Sequence, residues 1–167
     1  MTLGVAHAPF NIGYCDMDLI LWRHADAIDG MPDEERELSA SGTRQAAAMA
    51  RWLRAQLRGD WRVIASPALR TRQTASALTD EFVIDHALST RTTPEKFLEA
   101  VDWEHGEGTV IAVGHQPTLG AVAALILSGK PALWPVKKAA IWWLRREDDQ
   151  LQVRAVFSPQ LLDESPA

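Results

Sequence analysis

The stretch 18-DLILWRHADA-27 decides the fold. Leu19, Ile20, Leu21 and Trp22 form a short continuous apolar run, the pattern of a strand buried on both faces of a sheet. Arg23 and His24 follow directly at its carboxyl end. A strand covered on both faces implies helices above and below it, and in such sheets ligands bind beyond the carboxyl ends of the strands.

Working outward, Ser39 is suited to cap a helix running to about Arg58, with Ala46, Met49, Ala50, Leu53 and Leu57 at helical spacing and Gly59 closing it. "RVIA" reads as a second strand. Ser66 and Pro67 read as N-cap and first residue of a helix to about Asp80. "FVI" is a short third strand, and Thr93-Pro94 opens a helix that sets Phe97, Leu98 and Val101 on one face. "TVIAV" is a strand ending at Gly114 and His115, after which Pro117 opens a helix to about Ser128. "AAIWWLRRE" and "LQVRAVF" make a hairpin turning at Asp148 and Asp149, with Trp142 and Trp143 on opposite faces. Strands alternating with helices predict an α/β three-layer sandwich with a mainly parallel sheet.

The 167 residues, 47% hydrophobic and 23% charged, suit one domain. The expected division is an N-terminal extension over residues 1–16, a domain over 17–160 and a tail over 161–167, since Met17 directly precedes the first strand. A net charge of -5 argues against a nucleic-acid surface, which needs a basic face. Cys15 is the only cysteine, which excludes an intrachain disulfide and a thiolate metal cluster. No apolar run reaches the roughly 18 to 20 residues of a membrane span, and residues 1–16 lack the pattern of a signal peptide. A cytoplasmic protein without a membrane or nucleic-acid partner is expected; its oligomeric state is not readable.

Three strand ends carry the chemistry: Arg23 and His24, Ser66 to Arg70, and Gly114 with His115. Helix N-termini and guanidinium forks favour an anion with several oxygens, so a phosphate pocket is predicted. A neutral imidazole is a good nucleophile toward phosphorus, and neighbouring guanidinium groups oppose its protonation. Either His24 or His115 can serve on this reasoning. Arg72 lies roughly 200° around the helix from Arg70, so only one of them can face the pocket, and Arg72 is assigned to the surface.

Four segments then resemble a known family. "LWRHADA" is similar to the R-H-G signature of the histidine phosphatase superfamily, "ELSASGTRQA" to its L-T-x-x-G segment, "SPALRTRQTA" to S-x-x-x-R-A-x-x-T and "GHQP" to G-H-x-P. With "KKAAIWWL", the likeness covers about residues 17 to 157 and is greatest to the small SixA-type phosphohistidine phosphatases. The resemblance implies a phosphoglycerate mutase-like fold. It implies a hydrolase in which His24 takes up the phosphoryl group, Arg23 and Arg70 clamp its oxygens, and His115 stabilises it in transfer. Arg36 corresponds to an arginine at the pocket rim of small members. No cofactor or metal is implied, because the cationic side chains supply the electrostatic stabilisation. Ala25, Thr71 and Gln116 depart from the usual glycine, alanine and asparagine, without removing a pocket charge.

Relatives acting on sugar phosphates carry a lid with an acidic proton donor between the second and fourth motifs. Here only residues 72–114 separate Arg70 from His115, which leaves little room for a lid. Asp26 and Glu95 are the candidate acids, although Glu95 also fits a capping box with Thr92. An open pocket suits phosphohistidine on a signalling protein, since imidazole leaves with less protonation than an alkoxide. A small phosphoester or nucleotide is the alternative substrate, and a non-catalytic phosphoprotein-binding module the alternative function. His7, His86 and His105 fall in loops without metal-ligand spacing. A cysteine phosphatase needs arginine six positions after its nucleophile, and six after Cys15 is Leu21.

Overall fold

Met17–Arg23 (β1) lies inside a six-stranded sheet, and its side chains from Met17 to Trp22 are buried. The computed structural model describes residues 16–148 and 150–162. The other strands are Trp61–Ala65 (β2), Val83–Ile84 (β3), Gly108–Gly114 (β4), Ile141–Glu147 (β5) and Gln150–Phe157 (β6), in the order β3-β2-β4-β1-β5-β6. β1 to β4 run parallel, β5 is antiparallel to β1, and β6 returns against β5. The predicted extension and tail lie, apart from Asp16, Leu161 and Leu162, outside the described residues, as do Cys15 and His7.

The helices are Ala40–Gln56 (α1), Leu69–Ser76 (α2), Pro94–Ala100 (α3) and Thr118–Ser128 (α4). Alternate side chains of the central strands feed two cores. Ile20, Trp22, Val63, Ile111 and Val113 pack with Met49, Ala50 and Leu53 of α1 and Ala75 of α2. Leu19, Leu21, Ile64, Val110 and Ala112 pack with Phe97 of α3 and Leu119, Val122 and Ala123 of α4. Each face of the sheet is therefore covered by two helices, the three-layer α/β arrangement that the apolar runs predict. Trp143 joins the first core and Trp142 packs against the second, on opposite faces as expected.

Ser39 caps α1, its Oγ accepting from Gly42 N at 2.9 Å, and Gly59 follows at φ 65. Three local expectations are corrected. α2 begins at Leu69 rather than Pro67 and ends at Ser76 rather than near Asp80, because the chain over Ser66 to Ala68 forms a non-helical turn. Thr71 Oγ1 secures that turn, its one proton placed between the carbonyls of Ser66 and Ala68. The cap of α3 is Thr93, whose side chain accepts from Lys96 N, so the capping box of Thr92 with Glu95 is out of register. Arg72 is half-buried rather than fully on the surface.

Candidate active site

Register brings the predicted strand ends together. Arg23 pairs with Gly114 across β1 and β4, so the next residues, His24 and His115, emerge side by side. Ala65 pairs with Val113, and Ser66 N donates to Val113 O at 3.0 Å, which places the β2 end beside them. His24, Ser66, Arg70 and His115 are all buried, and Arg23 is half-buried.

The ring centroids of His24 and His115 are 5.3 Å apart. His24 Nδ1 is 2.8 Å from the carbonyl oxygen of Ala25, and a carbonyl can only accept, so the proton resides on Nδ1. Nε2 keeps its lone pair and has no hydrogen-bond partner among the described residues. Burial pushes the His24 pKa down to about 4, helped by the charges of Arg70, Arg23 and Arg36 and opposed by the hydrogen bond to Ala25. At neutral pH the imidazole is uncharged and nucleophilic.

His115 has the opposite tautomer. Its Nδ1 faces Arg70 Nη2 at 3.4 Å, and a guanidinium only donates, so Nδ1 accepts and Nε2–H donates to Ser66 Oγ at 2.7 Å. Burial, then the neighbouring His24 and Arg70, push its pKa down to about 3.

Arg70 is 3% exposed, and its Nη1 and Nη2 donate to the Asp33 carbonyl and carboxylate at 2.6 and 2.9 Å. Arg23 Nη1 donates to Val136 O at 2.7 Å. The Nε atoms of both arginines are buried and lack a hydrogen-bond partner among the described residues. Two orphaned cationic donors flanking two neutral imidazoles suit an oxyanion with several oxygens.

The backbone around the histidine is braced. His24 N donates to Gly114 O and Ala139 N to His24 O, while Trp22 Nε1 donates to Ala139 O. Ala139 adopts φ 58, a left-handed conformation costly for a residue with a Cβ. At the usual glycine position, Ala25 is buried and its N–H donates to Thr74 Oγ1. Gln116 Nε2 donates to Trp134 O at 2.7 Å, tying the start of α4 to the loop after it.

The remaining predicted residues lie around this centre. Arg36 donates to Ile28 O, Asp33 and Asp29, so its guanidinium is spent on the loop over residues 28–36. Asp26 accepts from Ser39 Oγ at 2.6 Å and Lys138 Nζ at 2.5 Å, and these bonds hold its carboxyl below the ordinary range. Glu95 is exposed in the first turn of α3. Sequence reasoning missed Asp33 and Ala139, and the role of Ser66. Ser66 stands first in the S-x-x-x-R segment, where a serine before proline has the pattern of a helix cap; neither Asp33 nor Ala139 carries a local signal.

Fold and site define a class: a hydrolase of the histidine phosphatase superfamily (branch 1), whose family model matches residues 19–92, and the chain belongs to it. Within it the chain is similar to phosphohistidine phosphatase SixA of Escherichia coli, 29% identical over 126 residues, spanning 68% of this chain and 76% of that protein. An uncharacterised protein of Picosynechococcus is 31% identical over 147 residues, covering 81% of this chain and 89% of its own. Among solved structures, the protein histidine phosphatase SixA complexed with tungstate aligns with TM-score 0.73 and 25% identity, over 88% of this chain and all (100%) of that one. The phosphoglycerate mutase-like fold expected from the sequence is the fold observed.

Proposed function

We propose that this protein removes phosphoryl groups from phosphohistidine on a protein, through a phosphohistidine intermediate on His24. The observation that carries the reading is the state of His24: neutral, with Nδ1–H held by Ala25 O and Nε2 without a partner among the described residues, beside the orphaned donors of Arg23 and Arg70.

In the first step the Nε2 lone pair forms a bond to phosphorus as the substrate's P–N bond breaks. The bonding pair stays with the departing imidazole, which takes a proton from water. Positive charge developing on the His24 ring is stabilised by the Ala25 carbonyl accepting from Nδ1–H. Arg23 and Arg70 hold the phosphoryl oxygens, and His115 supports the transfer beside them. In the second step water attacks phosphorus, a P–O bond replaces the N–P bond, and inorganic phosphate leaves with the His24 lone pair restored.

The substrate class is supported by what lies between the motifs. The chain from Arg70 to His115 is spent on α2, β3, α3 and β4, with Phe97 and Val101 buried in the core. It leaves no long excursion over the pocket, so a phosphoryl group displayed on a macromolecule has access. Asp26, clamped by Lys138 and Ser39, is a poor proton donor at neutral pH, and Glu95 is exposed on α3. A leaving imidazole demands the least protonation help.

The test is a panel of a phosphohistidine protein, a sugar phosphate and a nucleotide, run on wild type and His24→Ala. Preferential release of phosphate from the phosphohistidine protein, lost in the variant, is expected. Undiminished turnover by His24→Ala overturns the nucleophile, and preference for the alkyl phosphate overturns the substrate class.

A further inference from the structure

One contact at the site is left unused by this mechanism. Asp33 returns from the loop after β1 and seats both its backbone carbonyl and its carboxylate on the terminal nitrogens of Arg70. Two oxygens on one guanidinium fork is the geometry in which arginine takes a phosphoryl group. Arg70 Nη2, which holds the carboxylate at 2.9 Å, also faces His115 Nδ1 at 3.4 Å, so Asp33 reaches the edge of the reacting centre.

Asp33 is not a structural plug. Its side chain is 49% exposed, and it sits in a 3₁₀ turn, Asp33–Glu35, with no buried residue. Arg36 holds the carboxyl in its charged form first, and Arg70 adds to this, so an anion occupies the fork.

We propose that Asp33 is a specificity-determining residue whose carboxylate competes with phosphoryl oxygens for Arg70, so that the pocket accepts a phosphoryl group presented on a docked protein over free phosphate or a small ester. This rests on the phosphatase reading above. An anion arriving alone must displace Asp33 and bear the repulsion of the two charges with its own contacts. A protein substrate meets that cost with contacts made outside the pocket, the use of remote binding energy that separates large from truncated substrates. The same competition weakens the hold on product, so free phosphate leaves rather than lingering on Arg70.

The experiment titrates inorganic phosphate into wild type, Asp33→Asn, Asp33→Ala and Glu34→Gln by calorimetry, with para-nitrophenyl phosphate kinetics beside it. Glu34 is exposed next to Asp33 and controls for loss of a negative charge from the loop. Both Asp33 variants are expected to bind phosphate roughly tenfold tighter, since a like charge is removed from the anion seat. KM for the small ester falls with kcat nearly unchanged, while Glu34→Gln matches wild type. Phosphate binding that is equal or weaker in both Asp33 variants overturns the proposal and makes Asp33 a support for Arg70. Equal tightening in Glu34→Gln also overturns it, as a general charge effect. Absence of phosphate binding in every form overturns the phosphate pocket itself, a different failure.

Discussion

His24 and His115, each directly after one of two neighbouring strands, lie 5.3 Å apart between ring centroids with opposite tautomers. The first keeps its proton on Nδ1 and the second on Nε2, each fixed by a partner of unambiguous polarity, a carbonyl for His24 and a guanidinium for His115. A lone pair directed to phosphorus from one ring requires the other not to compete for it. His115 satisfies this, because its lone pair is turned to Arg70 and its N–H to Ser66.

The first prediction concerns the covalent intermediate. Rapid mixing with a phosphohistidine protein and quenching in alkali should leave one phosphoryl group on the chain, lost on acidification and located on His24 by peptide mass. His115→Ala should slow phosphate release by about 10²-fold or more, the scale for disturbing a group that stabilises transferring charge, because Arg70 loses its contact with His115 Nδ1, yet still form the intermediate. A label on His115 in wild type would reverse the two roles.

The second prediction follows from the depressed pKa values. His24 and His115 are lowered from 6.5 to about 4 and about 3, so the unfolded chain takes up protons that the folded chain refuses. Stability is therefore greatest above about pH 6.5 and falls as the pH drops toward about 4, where His24 also protonates in the folded state. The limiting slope is about 1.4 kcal/mol per pH unit for each histidine. Urea midpoints at pH 7, 6 and 5 should decline stepwise, and His24→Asn should flatten the decline. A midpoint constant from pH 7 to 5 contradicts the burial of neutral imidazoles. Asp26 and Asp33, held below the ordinary carboxylate value of 3.8, add losses only as the pH falls below that range.

A third prediction tests the support beneath the nucleophile. A Cβ on Gly42 would meet Asp26 O at 1.8 Å, a backbone atom two residues past His24 that also accepts from Ser39 N. Gly42→Ala must push α1 away from that loop. We expect a loss of about 2 kcal/mol, the scale of overpacking, with a fall in kcat beyond what the unfolded fraction explains. A variant as stable and active as wild type would show the approach to be slack.

The sheet, its helices and the two arginines and two histidines at its edge were legible because each depends on local pattern. Apolar runs name buried strands, and register alone carries Arg23, His24 and His115 to one edge. What was not legible depends on chain distant in sequence. Asp26 meets Lys138 only because the loop after α4 folds back over β1. Asp33 returns to Arg70 across 37 positions with no periodic signal to announce it. Ser66 was legible as a residue but not as a role: a serine before a proline reads as a cap, and the hydroxyl is claimed instead by the histidine that follows the neighbouring strand β4.

That hydroxyl carries the last prediction. Ser66 Oγ is the only hydrogen-bond partner of His115 Nε2 among the described residues, and Ser66 is 1% exposed. Ser66→Ala leaves a buried N–H without an acceptor, which costs about 1–3 kcal/mol, and the ring can relieve this by moving its proton to Nδ1. Nδ1–H would then oppose Arg70 Nη2 and loosen the guanidinium that holds the phosphoryl group. Phosphate release should fall roughly tenfold or more through kcat, and Ser66→Thr, which keeps the hydroxyl, should recover a large part of the loss. Nitrogen chemical shifts of the His115 ring separate the explanations: a change of tautomer supports the relay from Ser66 through His115 to Arg70. An unchanged tautomer with the same kinetic loss would instead make Ser66 a packing residue of the turn before α2.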